Sequence, residues 1–181
     1  MKKRIVWVII AMLAFCSTRL DAQVYAYSNF TITINNFCYL RIIPVGEIRM
    51  NLFTSVAGSP MVTQSIASTY LQMTSIAPAN ESRKITVIVS NGNIPPGTIF
   101  QVTALPCTTG AGTRGAPSST ITLDRVTQKD LITGIGSCYT GIMATNGYNL
   151  LYTWGVDFAN STLLKATTAT TITITYTVLS V

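Results

Sequence analysis

Histidine is absent from this chain, and carboxylates are scarce: six Asp and Glu residues in 181. The first absence removes the commonest general base and the commonest zinc ligand, and it excludes Ser–His–Asp and Cys–His catalytic sites. No C-x-x-C spacing and no Asp-rich loop is present, so no metal and no cofactor is expected. Charge is sparse, at 10% of residues. There is no basic run, only the pair Arg83–Lys84, read as a solvated strand end; a nucleic-acid partner is not expected. Helical periodicity is also missing past the N-terminus, with Ser65–Ser75 as a weak candidate for one short helical turn.

The N-terminus has three parts in order. Lys2, Lys3 and Arg4 precede the apolar run Ile5–Phe15, and Ser17–Ala22 return to polar and small residues. A run of this length suits a signal peptide, whereas a membrane-spanning helix needs about 20 residues. Residues 1–22 are therefore expected to be a cleavable secretory signal, cut after Ala22 or after Gln23, with an uncleaved anchor as the alternative. Cys16 raises lipidation as a second alternative, although the large Phe15 before it departs from a lipid-attachment box. The expected product, residues 23–181, is a single secreted, periplasmic or cell-surface domain without a membrane span. It keeps eight basic and five acidic residues, a net charge of +3.

Alternation with a period of two dominates that domain. Tyr148, Leu150, Tyr152, Trp154, Val156 and Phe158 share one face, opposite Asn149, Thr153 and Asp157. Ile172, Ile174, Tyr176 and Val178 share a face opposite Thr171, Thr173, Thr175 and Thr177. Phe30, Ile32 and Ile34 alternate with Thr31 and Thr33. Further strand candidates are Tyr39–Ile43, Glu47–Phe53, Thr69–Thr74, Lys84–Val89, Thr98–Leu105, Ser119–Leu123 and Leu131–Ile135, separated by turns such as Pro95–Gly97 and Gly110–Gly112. About nine or ten short strands predict an all-β, immunoglobulin-like antiparallel β-sandwich, with a closed barrel as the alternative.

Little chemistry is left to assign. Asp124 and Asp130 are close enough in sequence to be paired carboxylates, but the intervening charges read as a turn. Gly134–Gly141 lacks the ending of a phosphate loop and reads as a tight turn feeding the next strand. In an exported chain, Cys38, Cys107 and Cys138 allow three single disulfides; position favours Cys107–Cys138, leaving Cys38 free. Tyr148, Tyr152 and Trp154 read as core, while Tyr25, Tyr27 and Tyr139 are candidates for stacking on a glycan. Phe30, Ile32 and Ile34 are either the first strand of the sandwich or a strand donated to a neighbour's open edge.

The blocks Thr69–Ser75, Arg83–Val89, Ile94–Thr98, Gly134–Gly141, Asn146–Leu150 and the closing Thr-Ile-Thr-Ile-Thr-Tyr-Thr run resemble a group of small exported β-proteins of Bacteroidetes-type bacteria. The resemblance covers nearly all of the mature chain and implies the fold; it brings no catalytic or binding residues with it. More loosely, the chain looks like fimbrial or pilin subunits, from which it departs by supplying its own last strand, Thr171–Ser180. The expected function is a non-enzymatic structural or adhesion protein of the bacterial surface, self-associating through terminal strands or docking on a cell-surface partner. The alternatives are a carbohydrate-binding module using exposed tyrosines and, more remotely, an enzyme acting through Asp124 and Asp130.

Overall fold

The computed structural model describes Ser28–Val181. The chain divides into two units, Met1–Ile34 and Asn35–Val181. The signal, Cys16, the cleavage positions, Tyr25 and Tyr27 lie outside the described residues. The second unit contains β1 (Phe37–Ile43), β2 (Gln64–Ile76), β3 (Arg83–Asn91), β4 (Thr98–Ala104), β5 (Ala111–Gly112), β6 (Ala116–Pro117), β7 (Ile121–Thr122), β8 (Lys129–Ile135), β9 (Cys138–Tyr139), β10 (Tyr148–Val156) and β11 (Thr173–Ser180), with a 3-10 turn at Phe158–Leu163.

These strands form an all-β sandwich of two antiparallel sheets. One sheet has seven strands in the order β5-β9-β2-β10-β4-β7, with β1 also on β2; the other has four, in the order β11-β3-β8-β6. Tyr70 and Leu71 pair with β1 and with β10 at once, so β1 must occupy the opposite edge of β2. The outer edge of β1 and the outer edge of β11 meet no strand among the described residues.

Alternation explains the core. Leu71 and Met73 from β2, Ile85, Val87 and Val89 from β3, and Tyr148, Leu150 and Tyr152 from β10 are all buried. Leu40, Ile42, Ile174, Tyr176 and Val178, on the two edge strands, pack against them part-buried. Two core tyrosines keep their hydroxyls satisfied, as burial requires. Tyr148 donates to the carbonyls of Arg114 (2.7 Å) and Gly115 (3.1 Å). Tyr152 and Tyr176 bond to each other through their hydroxyls, linking the two sheets.

Four expectations change. The first strand is β1, not Phe30–Ile34, which form no strand. Glu47–Phe53 is irregular, because among the described residues its backbone forms no ladder, only a bond from the Val62 N–H to the Phe53 carbonyl (3.0 Å); Glu47 and Arg49 pair with each other at 3.0 Å. Ser65–Ser75 lies wholly in β2, since pairing with β1 and β10 outweighs any local helical tendency. Phe158 is exposed beyond the end of β10, where Asp157 caps the 3-10 turn by accepting from the Ala159 N–H.

The largest departure is Arg83. Inward residues of β3 are the odd-numbered ones, and Arg83 begins that series at the rim of the sandwich. It is only 5% exposed. Its guanidinium donates to the Phe37 carbonyl (2.8 Å), the Ile76 carbonyl (2.9 Å), Ser75 Oγ and Asn36 Oδ1. Lys84, one residue on, points outward and pairs with Asp130 at 3.0 Å. The pair is therefore split: one cation is solvated and the other ties β3 to the ends of β1 and β2. Arg83→Ala leaves two part-buried carbonyls and two side-chain oxygens without this donor. It is expected to lower the stability by about 2–4 kcal/mol, read as a shifted midpoint in urea unfolding; Lys84→Ala is expected to change it by less than about 0.5 kcal/mol.

Candidate functional site

The outer face of the seven-stranded sheet carries a row set by register. Tyr39 in β1 lies opposite Thr74 in β2, and Thr74 lies opposite Tyr139 in β9. All three face solvent, with Tyr39 71% and Tyr139 53% exposed. Two strand spacings separate the tyrosines, so their Cα atoms are about 9.5 Å apart. Phe37 flanks Tyr39 on the same face, with ring centroids 5.4 Å apart.

The next row of this face, Arg41 opposite Gln72, holds down a loop. Gln72 is buried and donates through Nε2 to the carbonyls of Met143 (2.6 Å) and Asn146 (3.0 Å). Arg41 donates through Nε to Gln72 Oε1 (2.9 Å) and through Nη2 to the Ile142 carbonyl (3.1 Å). Glycines begin and end the loop for a steric reason. Gly141 (φ +96°) and Gly147 (φ +101°) both have left-handed backbones, and a Cβ would strike the Asn146 amide in the first case and the Leu71 carbonyl in the second. The loop, Tyr39 and the floor formed by Arg41, Gln72 and Thr74 enclose a shallow groove of about 340 Å³.

Other candidates fall elsewhere. Asp124 and Asp130 each pair with a different lysine, Asp124 with Lys129 (2.8 Å) and Asp130 with Lys84 (3.0 Å). Asp124 also accepts the backbone N–H groups of Val126 (2.8 Å) and Thr127 (2.7 Å). The Lys129 hydrogen bond and then these two N–H groups lower its pKa from 3.8 to about 2. Gly134–Gly141 joins the end of β8 to β9 and carries the chain from one sheet to the other, with no helix after it. Phe30, Ile32 and Ile34 are 83%, 85% and 77% exposed.

The expected Cys107–Cys138 bridge is not formed: Cys38, Cys107 and Cys138 are free thiols. The Cys107 sulfur turns instead to the Thr109 carbonyl at 3.3 Å. Cys38 and Cys138 occupy one inward row on either side of Ser75. Two strand spacings exceed the Cα separation that a disulfide tolerates, about 7 Å. Burial is the main cause that raises both thiols. For Cys38 it outweighs the neighbouring Arg83 guanidinium, and Cys138 is raised to about 11, with Cys38 and Cys107 adding to the effect.

Of the described residues expected to form a site, Tyr139 alone belongs to the groove face. Sequence reasoning missed Tyr39, Thr74, Arg41 and Gln72. Tyr39 and Tyr139 are 100 positions apart, and only the β1-β2-β9 register brings them into one row. The available signal was parity: Tyr39 and Arg41 alternate with Leu40 and Ile42. The chain matches no protein-family model, no curated protein and no solved structure.

Two outcomes are expected. Cys138, protonated and buried, should resist a thiol reagent at pH 8 in the folded protein and react on unfolding, as mass spectrometry of labelled peptides would show. The lowered pKa of Asp124 contributes stability that is present above about pH 4 and lost as the pH falls through about 2. Asp124→Asn should therefore remove part of the acid-side fall in melting temperature, with the variant and wild type converging at pH 2.

Proposed function

We propose that this chain is an exported, non-enzymatic structural or adhesion protein of a bacterial surface, a fimbria-like subunit that associates by lending an extended segment to its neighbour. One observation carries the reading: Phe30, Ile32 and Ile34 alternate along a segment outside any strand and are 77–85% exposed. Three large apolar side chains left in water forgo roughly 1.5–3 kcal/mol each relative to burial. An alternating segment recovers that energy most directly as a strand, with its apolar face covered and its backbone paired.

Two features support the reading. Among the described residues no strand covers the outer edges of β1 and β11, which leaves them for an added strand. Thr31 and Thr33 match the outward Thr175 and Thr177 of β11, and Thr–Thr pairs are favourable across strands. The signal-like N-terminus and the resemblance to exported Bacteroidetes-type proteins point to the cell surface as the place where this would occur.

Residues 23–181 are expected to form oligomers whose size grows with concentration, read by light scattering behind a sizing column. Ile32→Asp should reduce them to monomers and leave the melting temperature of the dilute, monomeric chain unchanged, because Ile32 is 85% exposed. A wild-type chain that stays monomeric at millimolar concentration overturns the proposal.

A further inference from the structure

The groove beside Tyr39 has a use that strand donation leaves untouched. We infer that it is a binding site for an acidic glycan, with a pyranose ring lying against Tyr39 and its carboxylate on Arg41. Arg41 lines the groove and has no carboxylate partner among the described residues; its two hydrogen bonds go to an amide oxygen and a backbone carbonyl. A guanidinium has five N–H donors, so three remain, together with a full uncompensated positive charge. A carboxylate is the group that matches both, accepting two parallel hydrogen bonds.

The surroundings select the rest of the ligand. Tyr39 and Tyr139 present two exposed aromatic bodies with polar tips in one row. A sugar combines the corresponding features, an apolar C–H face and a rim of hydroxyls, and two pyranoses in a chain span a separation of this order. Thr74 stands between the rings, and its hydroxyl has no protein partner among the described residues, which leaves it to meet a sugar hydroxyl. A peptide chain fits less well, because β2 in the groove floor is already paired on both sides here, and the one free backbone ladder nearby is the outer edge of β1, not the groove floor. The groove is also pre-formed: Gln72 and Arg41 fix the loop wall before any ligand arrives, so binding spends little on ordering. Its volume lies at the small end of ligand sites, suited to one or two sugar units.

The test uses residues 23–181 carrying Ile32→Asp, so that assembly, whether or not it occurs, does not enter. Trigalacturonate is titrated into isotope-labelled protein, with neutral maltotriose as the control. The inference expects trigalacturonate to shift the amide resonances of Tyr39, Thr74 and Gly141, and maltotriose to shift them far less. Arg41→Gln and Tyr39→Ala should each weaken binding about tenfold or more. Tyr39→Ala leaves the loop anchors intact and so separates ligand contact from loop loosening. Arg125→Gln, an exposed cation away from the groove, should have no effect. Absence of shifts with trigalacturonate overturns the inference. So does equal binding of both sugars, and so does a loss on Arg125→Gln as large as that on Arg41→Gln, which would mean unspecific attraction between a basic protein and a polyanion.

Discussion

A buried guanidinium with no carboxylate partner among the described residues is the constraint around which this sandwich is arranged. Arg83 enters at the rim because β3 is read inward from its first residue, and the charge survives there because four oxygen acceptors converge on it. Those acceptors come from Phe37, Ser75 and Ile76, on the two strands that face β3 across the core, and from Asn36, just before the first of them. Burial of a charge costs several kcal/mol unless it is hydrogen-bonded on all sides. The ends of β1 and β2 are consequently held at a defined place over β3. That placement fixes the register of β1 on β2, and the register in turn assembles the outer row of Tyr39, Thr74 and Tyr139.

The two faces of the seven-stranded sheet divide the work. Inward, Cys38, Ser75 and Cys138 form a row whose polar members are occupied by Arg83 and whose thiols are kept protonated by burial. Outward, the same three strands carry aromatic rings, a hydroxyl and an uncompensated cation. A single-residue slip of β1 would exchange these sets, placing Tyr39 and Arg41 in the core. The Arg83 bonds to Asn36 and Phe37 oppose that slip, so the interior clamp and the exterior groove are energetically linked. The proposed assembly segment draws on neither, since it precedes the sandwich; adhesion through the groove and association through the segment could operate in one molecule.

Much of the fold was legible because a half-buried strand writes its orientation into every second residue. β10 and β11 could be oriented from parity alone, and their inward faces are the ones that pack on the core. The errors share a cause. Glu47–Phe53 alternates well enough to suggest a strand but joins no sheet among the described residues. Phe158 continues a periodic series past the point where Asp157 starts a turn. Arg83 reads as solvated from sequence because charge is a stronger local signal than position in a series, and its four acceptors are seven to 47 residues away in sequence.

Sequence alone therefore determined the class of structure and the chemistry that is missing: an all-β chain without histidine, with few charges and with an apolar alternation at Phe30, Ile32 and Ile34. Composition and period are local properties, and they survive any change in how the strands are ordered. Tertiary structure decided what the pairing order controls. It kept Cys107 and Cys138 as separate thiols, buried Arg83, and set Tyr39 beside Thr74 and Tyr139 over a floor containing Arg41. These are relations between residues tens of positions apart, and only the register of antiparallel strands, fixed by packing and by buried hydrogen bonds, brings them together.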